Sequence, residues 1–139
     1  MGVFFKNKPL VGVVYDIPNN EKFFALKDGG SFSNDSQISV SNKDHFKDGL
    51  YVTGFIPYDE NYIDKNLQVI KNINLNSHGV RRLGAASLDM CHVAKGIVEG
   101  FWEYNLQPWD TAAGNIIVLE AGGFVLSLIH ISEPTRHLL

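Results

Sequence analysis

The acidic residue with the most telling surroundings is Asp110, at the start of a stretch with the composition of a helix. Residues 108–123 read PWDTAAGNIIVLEAGG. Alanine and long aliphatic residues favour a helix of about three turns, and the two glycines, which tolerate left-handed backbone, favour its end. A carboxylate in this place can accept hydrogen bonds from the free amides of the first turn, as an N-cap. One of its oxygens can also bind a hard cation.

A second stretch, VRRLGAASLDMCHVAKG at residues 80–96, places small residues at a predicted helix start. Gly84 permits a tight turn, and Ala85 and Ala86 leave the first amides of the helix uncovered. Such amides, together with the helix dipole, favour an anion or a hydroxyl ligand. Small residues are also expected where a helix packs closely on a neighbour, so the pattern alone leaves both interpretations open.

Glu103 is an acid among aromatic residues, in the segment FWEY at 101–104. In a strand with one solvent-exposed face, the side chain of such an acid is expected to point toward solvent. A carboxylate beside aromatic surface also suits a polyol, because it can accept hydrogen bonds from two neighbouring hydroxyls. Both interpretations of Glu103 remain open on the residues alone.

These segments resemble the inositol monophosphatase family of metal-dependent sugar-phosphate phosphatases. WDTAAG followed by EAGG is similar to the C-terminal signature of that family, and RRLGAASLDMCHVAKG is similar to its RRxGSAALDLxxVAxG element. The resemblance implies that Asp110 borders the substrate and binds a catalytic Mg2+, and that Gly84, Ala85 and Ala86 contact the substrate. It also implies that Glu103 accepts a hydrogen bond from a sugar or inositol hydroxyl. Ala85 stands where many relatives carry Ser or Thr, so one hydroxyl contact is expected to be missing.

The resemblance implies a layered α/β (α+β) fold, the αβαβα sandwich of these sugar phosphatases, with this chain as its C-terminal portion. Residues 1–125 are assigned to that portion, and Met1 is interpreted as an internal methionine of a longer protein. Residues 126–139 are interpreted as a non-native tail, because LSLIHISEPTR at 126–136 resembles the translation of a sequencing adapter. A native strand is the alternative interpretation of the tail.

The implied function is hydrolysis of a phosphate monoester, with inositol monophosphate or a similar polyol phosphate as substrate and Mg2+ as cofactor. Bound Mg2+ would polarise phosphoryl oxygens and lower the pKa of a bound water. The family's DPIDGT-type metal-binding motif and its upstream glutamate are absent from the sequence, so the chain alone is expected to be inactive. The alternatives are a phosphatase for another small substrate (a nucleotide 3′-phosphate, histidinol phosphate or fructose bisphosphate) and a non-catalytic interaction module with the same fold.

The composition argues against several other classes of protein. Hydrophobic residues make up 45% and charged residues 19% of the chain, which is typical of a globular protein. A formal net charge of −3 argues against a nucleic-acid or acidic-membrane partner, and no apolar run approaches the ~20 residues of a membrane span. The single cysteine, Cys91, excludes an internal disulfide and favours a reducing, cytoplasmic location. The expected partners are a small-molecule phosphate and, for the full-length protein, a second copy in a homodimer.

The rest of the sequence predicts alternating strands and helices. Apolar runs at 2–5 and 10–15 flank a polar turn and predict a hairpin. The second run has the composition of a central strand covered on both faces. Further strands are expected at 22–26, 36–41, 51–55 and 101–104, a short helix at 44–50, a surface helix at 59–73, and a loop at 72–78.

Four other polar residues are given structural or surface interpretations. Asp89 lies a full turn beyond the open helix start, and His92 has no second metal ligand at a suitable spacing, so both are expected to be structural. Arg81 and Arg82 are expected at the surface, where arginine usually lies. Pairing with an acid or with phosphate is the alternative for the two arginines.

Overall fold

The computed structural model describes residues 1–126 of the 139-residue chain. Within this range the polypeptide forms an antiparallel sheet, a parallel sheet and three α-helices. The segment interpreted as a non-native tail lies outside the described residues from position 127 onward. None of the helices in the described range is long and apolar enough to cross a membrane.

The N-terminal part folds as an antiparallel sheet of five strands in sequence order. The predicted hairpin is confirmed, with Phe5 opposite Lys8 across a turn in which Lys6 and Asn7 both have positive φ. Every neighbouring pair is local in sequence, because each strand turns back directly along the one before it. The strands are β1 (Gly2–Phe5), β2 (Lys8–Asp16), β3 (Glu21–Leu26), β4 (Gly30–Ser33) and β5 (Ser36–Ile38), the last being shorter than predicted.

One face of this sheet packs against the last helix, α3 (Pro108–Glu120). Phe23 of β3 and Ile116 of α3 are almost completely inaccessible and belong to the same apolar cluster. On β2, however, Tyr15 is 53% exposed. The expectation that β2 is covered on both faces is therefore wrong for the described residues. An antiparallel sheet needs only one covered face, and the apolar composition of β2 does not distinguish the two cases.

Two glycines allow α3 to approach its neighbours closely. A Cβ built on Gly12 of β2 would lie 2.5 Å from the carbonyl oxygen of Ala113 and 2.6 Å from Cγ2 of Ile116. A Cβ built on Gly114 would lie 2.5 Å from Sδ of Met90, which belongs to α2 (Ala86–Ala94). Since real Cβ atoms do not tolerate such distances, α3 reaches both the sheet and α2 only because these positions carry no side chain.

The C-terminal end of α3 is fastened to the antiparallel sheet. The backbone N–H groups of Asp28 and Gly30 each donate to the carboxylate of Glu120 at 3.0 Å. Gly122 follows the helix with φ +86, as expected of a glycine that ends a helix. The acid and the glycines of the EAGG segment therefore have structural roles in this chain.

The second sheet is parallel and has helices between its strands. Its order places β6 (Tyr51–Thr53) between β7 (Val80–Arg81) and β8 (Gly100–Trp102). The helix α1 (Glu60–Asn76) connects β6 to β7, and α2 connects β7 to β8. This alternation brings the ends of β6 and β8 next to the starts of the helices that follow in the chain.

The helix α1 begins as predicted and ends later. Oδ1 of Asp59 accepts a hydrogen bond from the N–H of Tyr62 at 3.3 Å and caps the helix. The helix then continues to Asn76, so the predicted loop at 72–78 is wrong for residues 72–76 and confirmed for residues 77–78. Its asparagines find partners at the helix end, where Oδ1 of Asn74 accepts from the N–H of Val80 at 3.2 Å. Asparagine at the end of a helix is thus satisfied locally and need not indicate a loop.

Three other predicted elements are shorter in the structure. The helix expected at 44–50 is a single 3-10 turn at Phe46–Asp48. The strands expected at 51–55 and 101–104 end at Thr53 and Trp102. The residues that follow the two strands, Gly54 and Glu103, are outside regular secondary structure.

Candidate functional site

Three segments that are distant in the sequence meet around one cavity of about 430 Å³. They are the start of α2, the residues that follow β8, and the start of α3. The structure brings together all five residues singled out from the sequence, and three others complete the wall. The lining residues are Gly84, Ala85, Ala86, Ser87, Glu103, Leu106, Trp109 and Asp110.

Asp110 occupies the third position of α3 rather than the N-cap. The helix begins at Pro108, whose fixed φ and missing N–H suit the first position, and Gln107 is the N-cap. The Gln107 N–H donates to Oδ2 of Asp110 at 2.8 Å, and the Asp110 N–H donates to the Gln107 carbonyl oxygen at 2.9 Å. The predicted N-cap role is therefore wrong, although the carboxylate still binds a backbone donor at the helix entrance. Oδ1 of Asp110 accepts no hydrogen bond from the described residues, so it is available to a ligand.

The start of α2 presents backbone amides without a capping side chain, as predicted. Gly84 has φ +101, which explains glycine at this turn. Ala85 is the N-cap, and its methyl group makes no hydrogen bond to the first turn. The first amides of the helix therefore remain available to a ligand in the cavity. Ser87, one residue into the helix, adds a hydroxyl to the same wall.

Glu103 lies half-buried immediately after β8. Burial raises the pKa of its carboxyl above the usual value, and the negative charge of Asp110 raises it further. The positive charge of Arg82 acts in the opposite direction. Arg82 is exposed, as predicted, yet it is near enough for its charge to reach the acid. These effects are the ones expected where two carboxylates border one cavity.

Three cavity residues, Ser87, Leu106 and Trp109, were not predicted as part of a site. For Trp109 a signal was available, since an indole directly before an acidic residue at a helix entrance is an unusual choice. Its side chain is 76% exposed, which is uncommon for tryptophan. Ser87 and Leu106 carry no comparable signal, because their place on the wall depends on how the three segments meet.

Asp89 and His92 lie outside the cavity lining. Asp89 is 1% exposed, and neither of its carboxylate oxygens has a hydrogen-bond partner among the described residues. Burial, and secondly the charge of Glu103, raises its pKa to about 6. Burial also lowers the pKa of His92, whose Nδ1 is buried and unpartnered in the described part of the chain.

The cavity wall offers two carboxylates, those of Asp110 and Glu103, to a cation. No group of three or more His, Cys, Asp or Glu side chains suited to a metal ion occurs among residues 1–126. Mg2+ keeps several waters and is often bound through one or two carboxylates together with substrate phosphate oxygens. Asp110, with Oδ1 available, therefore fits one position in the shell of such a cation. The described residues do not supply a complete metal site.

The family model for the inositol monophosphatase family matches residues 1–130. Phosphatase IMPL1, chloroplastic, from Arabidopsis thaliana is 42% identical over 131 residues, which cover 90% of this chain and 35% of that protein. The putative Nus factor SuhB of Neisseria meningitidis serogroup B is 41% identical over 128 residues, covering 92% of this chain and 49% of that protein. A solved inositol monophosphatase from an Anabaena (Nostoc) species matches with a TM-score of 0.82 and 38% identity, over 87% of this chain and 48% of that chain.

The chain spans between 35% and 49% of the length of these relatives. Its sheets and helices follow the α/β sandwich of the solved phosphatase over that part, which confirms the predicted fold class. Both signature segments, at 80–96 and 108–123, lie inside the matched residues. This chain belongs to the inositol monophosphatase family.

Proposed function

We propose that the protein represented by this chain hydrolyses a phosphate monoester of a small polyol, with inositol monophosphate as the first candidate and Mg2+ as cofactor. The proposal depends on one observation: Gly84, Ala85, Ala86, Glu103 and Asp110 lie on the wall of a single cavity. Its volume of about 430 Å³ falls in the range of sites for small molecules. The name of the Anabaena relative, inositol monophosphatase, is in keeping with this substrate class.

The polar groups of the wall divide into acceptors and donors. Glu103 is suited to accept hydrogen bonds from polyol hydroxyls, because its carboxylate is half-buried and close to aromatic residues. The uncapped amides at the start of α2 are suited to donate to substrate oxygens. Ser87 adds a hydroxyl to the part of the wall that Ala85 lines.

The charge of the wall argues for a bound cation. The lining includes the two acids Glu103 and Asp110 and neither lysine nor arginine. A phosphate group brought against two carboxylates is repelled unless a positive charge lies between them. Mg2+ held there would supply that charge, and with it the polarisation of phosphoryl oxygens and a lower pKa for a bound water. In this proposal Asp110 would hold the cation, and its Oδ2 keeps the hydrogen bond to the start of α3.

A complete catalytic site needs ligands beyond those that residues 1–126 supply. The chain covers at most about half of the relatives described above, and the described residues contain no cluster of three metal-binding side chains. We therefore expect the 139-residue chain to bind substrate and cation without turning the substrate over. Phosphate release from myo-inositol 1-phosphate by the purified chain would contradict this expectation.

The binding of myo-inositol 1-phosphate to the 139-residue chain, measured by calorimetry with and without Mg2+, tests the proposal. Asp110→Asn keeps the hydrogen bond to Gln107 possible and removes the charge that would hold the cation. We expect Mg2+ to increase the affinity of the wild type, and Asp110→Asn to abolish that increase. Asp64→Asn, on the exposed face of α1, is the matched control and should leave the increase intact. An affinity independent of Mg2+, or an increase that survives Asp110→Asn, would contradict the metal assignment.

Binding measurements with a panel of phosphate esters distinguish the proposed substrate from its alternatives. The candidates are a nucleotide 3′-phosphate, histidinol phosphate and fructose bisphosphate, each compared with inositol 1-phosphate in the presence of Mg2+. Tightest binding of inositol 1-phosphate supports the polyol assignment, since Glu103 discriminates hydroxyl patterns. If no phosphate ester binds, the chain is better described as a non-catalytic interaction module.

A further inference from the structure

Gly54 follows the central strand β6 and lies directly beside Glu103. Because β6 and β8 are parallel and Thr53 is opposite Trp102, the next residues on the two strands continue side by side. A Cβ built on Gly54 would fall on the carboxylate of Glu103, since Cδ and both carboxylate oxygens are its nearest atoms, well inside van der Waals contact. The carboxylate thus occupies the space that a side chain at position 54 would fill.

Space, and not backbone conformation, accounts for glycine at position 54. Five glycines of the described residues have positive φ, Gly84 among them, and Gly54 is not one of these. A residue with a side chain can adopt its backbone conformation without strain. Gly54 is also buried, so a side chain there has no path to solvent that avoids its neighbours.

Asn66 binds the backbone of Gly54 on one side of this contact and the side chain of Trp102 on the other. It lies on α1 and is 1% exposed. Its Nδ2 donates to the carbonyl oxygen of Gly54 at 2.7 Å, and its Oδ1 accepts from Nε1 of Trp102 at 2.7 Å. Oγ1 of Thr53 donates to the carbonyl oxygen of Trp102 at 2.8 Å. Gly54 and the residue before Glu103 therefore belong to one buried hydrogen-bond network.

We propose that Gly54 and Asn66 are positioning residues that fix where the Glu103 carboxylate lies in the cavity, and so select a polyol phosphate over phosphate itself. The inference rests on the proposed function, because it requires Glu103 to recognise hydroxyls. A methyl group at position 54 displaces the Glu103 carboxylate, which is the proposed acceptor for substrate hydroxyls. It leaves Asp110 in place. The displacement costs the fold little, because the group that must move is the end of a flexible side chain.

The test compares Gly54→Ala with Gly49→Ala in the full 139-residue chain. Gly49 precedes β6 at its other end and is also buried, and a Cβ there would lie 2.6 Å from Oη of Tyr51. The control thus introduces similar crowding away from the cavity. The first measurement is the 13C chemical shift of the Glu103 carboxyl, assigned by its loss in Glu103→Ala. The second is the affinity for myo-inositol 1-phosphate and for inorganic phosphate, in Mg2+.

We expect the Glu103 resonance to move in Gly54→Ala and to stay unchanged in Gly49→Ala. Affinity for inositol 1-phosphate should fall about tenfold or more, the effect of losing a hydrogen bond to a charged group, with inorganic phosphate unaffected. Adding Glu103→Asp to Gly54→Ala shortens the acid by one methylene group and should restore part of the affinity. Trp102→Phe keeps an aromatic ring but removes the indole N–H that donates to Asn66, and should also move the Glu103 resonance.

An unmoved Glu103 resonance in Gly54→Ala and Trp102→Phe would overturn the proposal. Equal loss of affinity for inositol 1-phosphate and inorganic phosphate would overturn it too, because the effect would not be specific to hydroxyl recognition. If the resonance moves but the wild-type chain binds no inositol phosphate, the proposed function fails and the steric role of Gly54 stands.

Discussion

Replacing Asp89 with asparagine should stabilise the chain above about pH 6 and have little effect near pH 4. Asp89 is 1% exposed, and its oxygens have no hydrogen-bond partner among the described residues. Burial raises its pKa from 3.8 to about 6, with a smaller contribution from the charge of Glu103. Asparagine has almost the same shape as aspartate and carries no charge, so it resembles the protonated acid at every pH.

The size of the effect follows from the raised pKa of Asp89. A rise of about two pKa units corresponds to about 3 kcal/mol between the protonated and the ionised acid. The unfolded chain releases the proton near pH 3.8, whereas the folded chain holds it up to about pH 6. The free energy of unfolding therefore falls as the pH rises through this window. Below it both states are protonated and the loss is absent; above it the loss is complete.

Urea unfolding, followed by the fluorescence of the two tryptophans, measures this loss in the wild type and Asp89→Asn. Other acids titrate in both proteins, so their contributions cancel in the difference between the two unfolding free energies. We expect the difference to grow from near zero at about pH 4 to about 3 kcal/mol at about pH 8. Asp64→Asn should show no such growth, because Asp64 is exposed. A difference for Asp89→Asn that is the same at both pH values would show that folding does not raise the pKa of this carboxyl.

Two further predictions concern the core. Gly12→Ala should lower the free energy of unfolding by about 1–3 kcal/mol in thermal or urea unfolding, because the new methyl group collides with Ala113 and Ile116. Gly29→Ala, in an exposed turn, is the comparison, and equal losses at the two sites would contradict the close packing of α3. Cys91 is completely buried and its pKa is raised to about 12, so it should resist a thiol reagent in the folded chain and react after unfolding. Rapid labelling of the folded chain would show that α2 opens.

The site residues could be found from the sequence because they stand in segments with unusual composition. Gly84, Ala85 and Ala86 open a helix with no capping side chain, and the structure has the same arrangement. Physical reasoning alone did not decide between ligand binding and close helix packing for these residues. The resemblance to a family favoured ligand binding. The prediction that Glu103 and Asp110 border the same substrate depended on the family resemblance. Nothing in either local segment indicates that the two acids meet.

Features that depend on pairing between distant segments were not predicted. Gly54 reads as an ordinary small residue at the end of a strand, and its relation to Glu103 exists only once β6 and β8 are paired. The predicted position of Asp110 in the helix was wrong for a local reason. The helix begins at Pro108, two residues before the acid. Neighbouring residues can each favour a different helix start. The overall composition of a segment therefore predicts the helix but not its first residue.

The contact between Gly114 and Met90 has a consequence for the width of the cavity. Gly114 lies four residues after Asp110, and Met90 lies four residues after Ala86, so α2 and α3 touch about one turn behind the ends that border the cavity. The distance between those two ends is therefore set behind the cavity wall, where the Met90 side chain packs against a residue that has no side chain. A change of residue at this crossing would therefore alter the width of the cavity and leave every group on its wall unchanged.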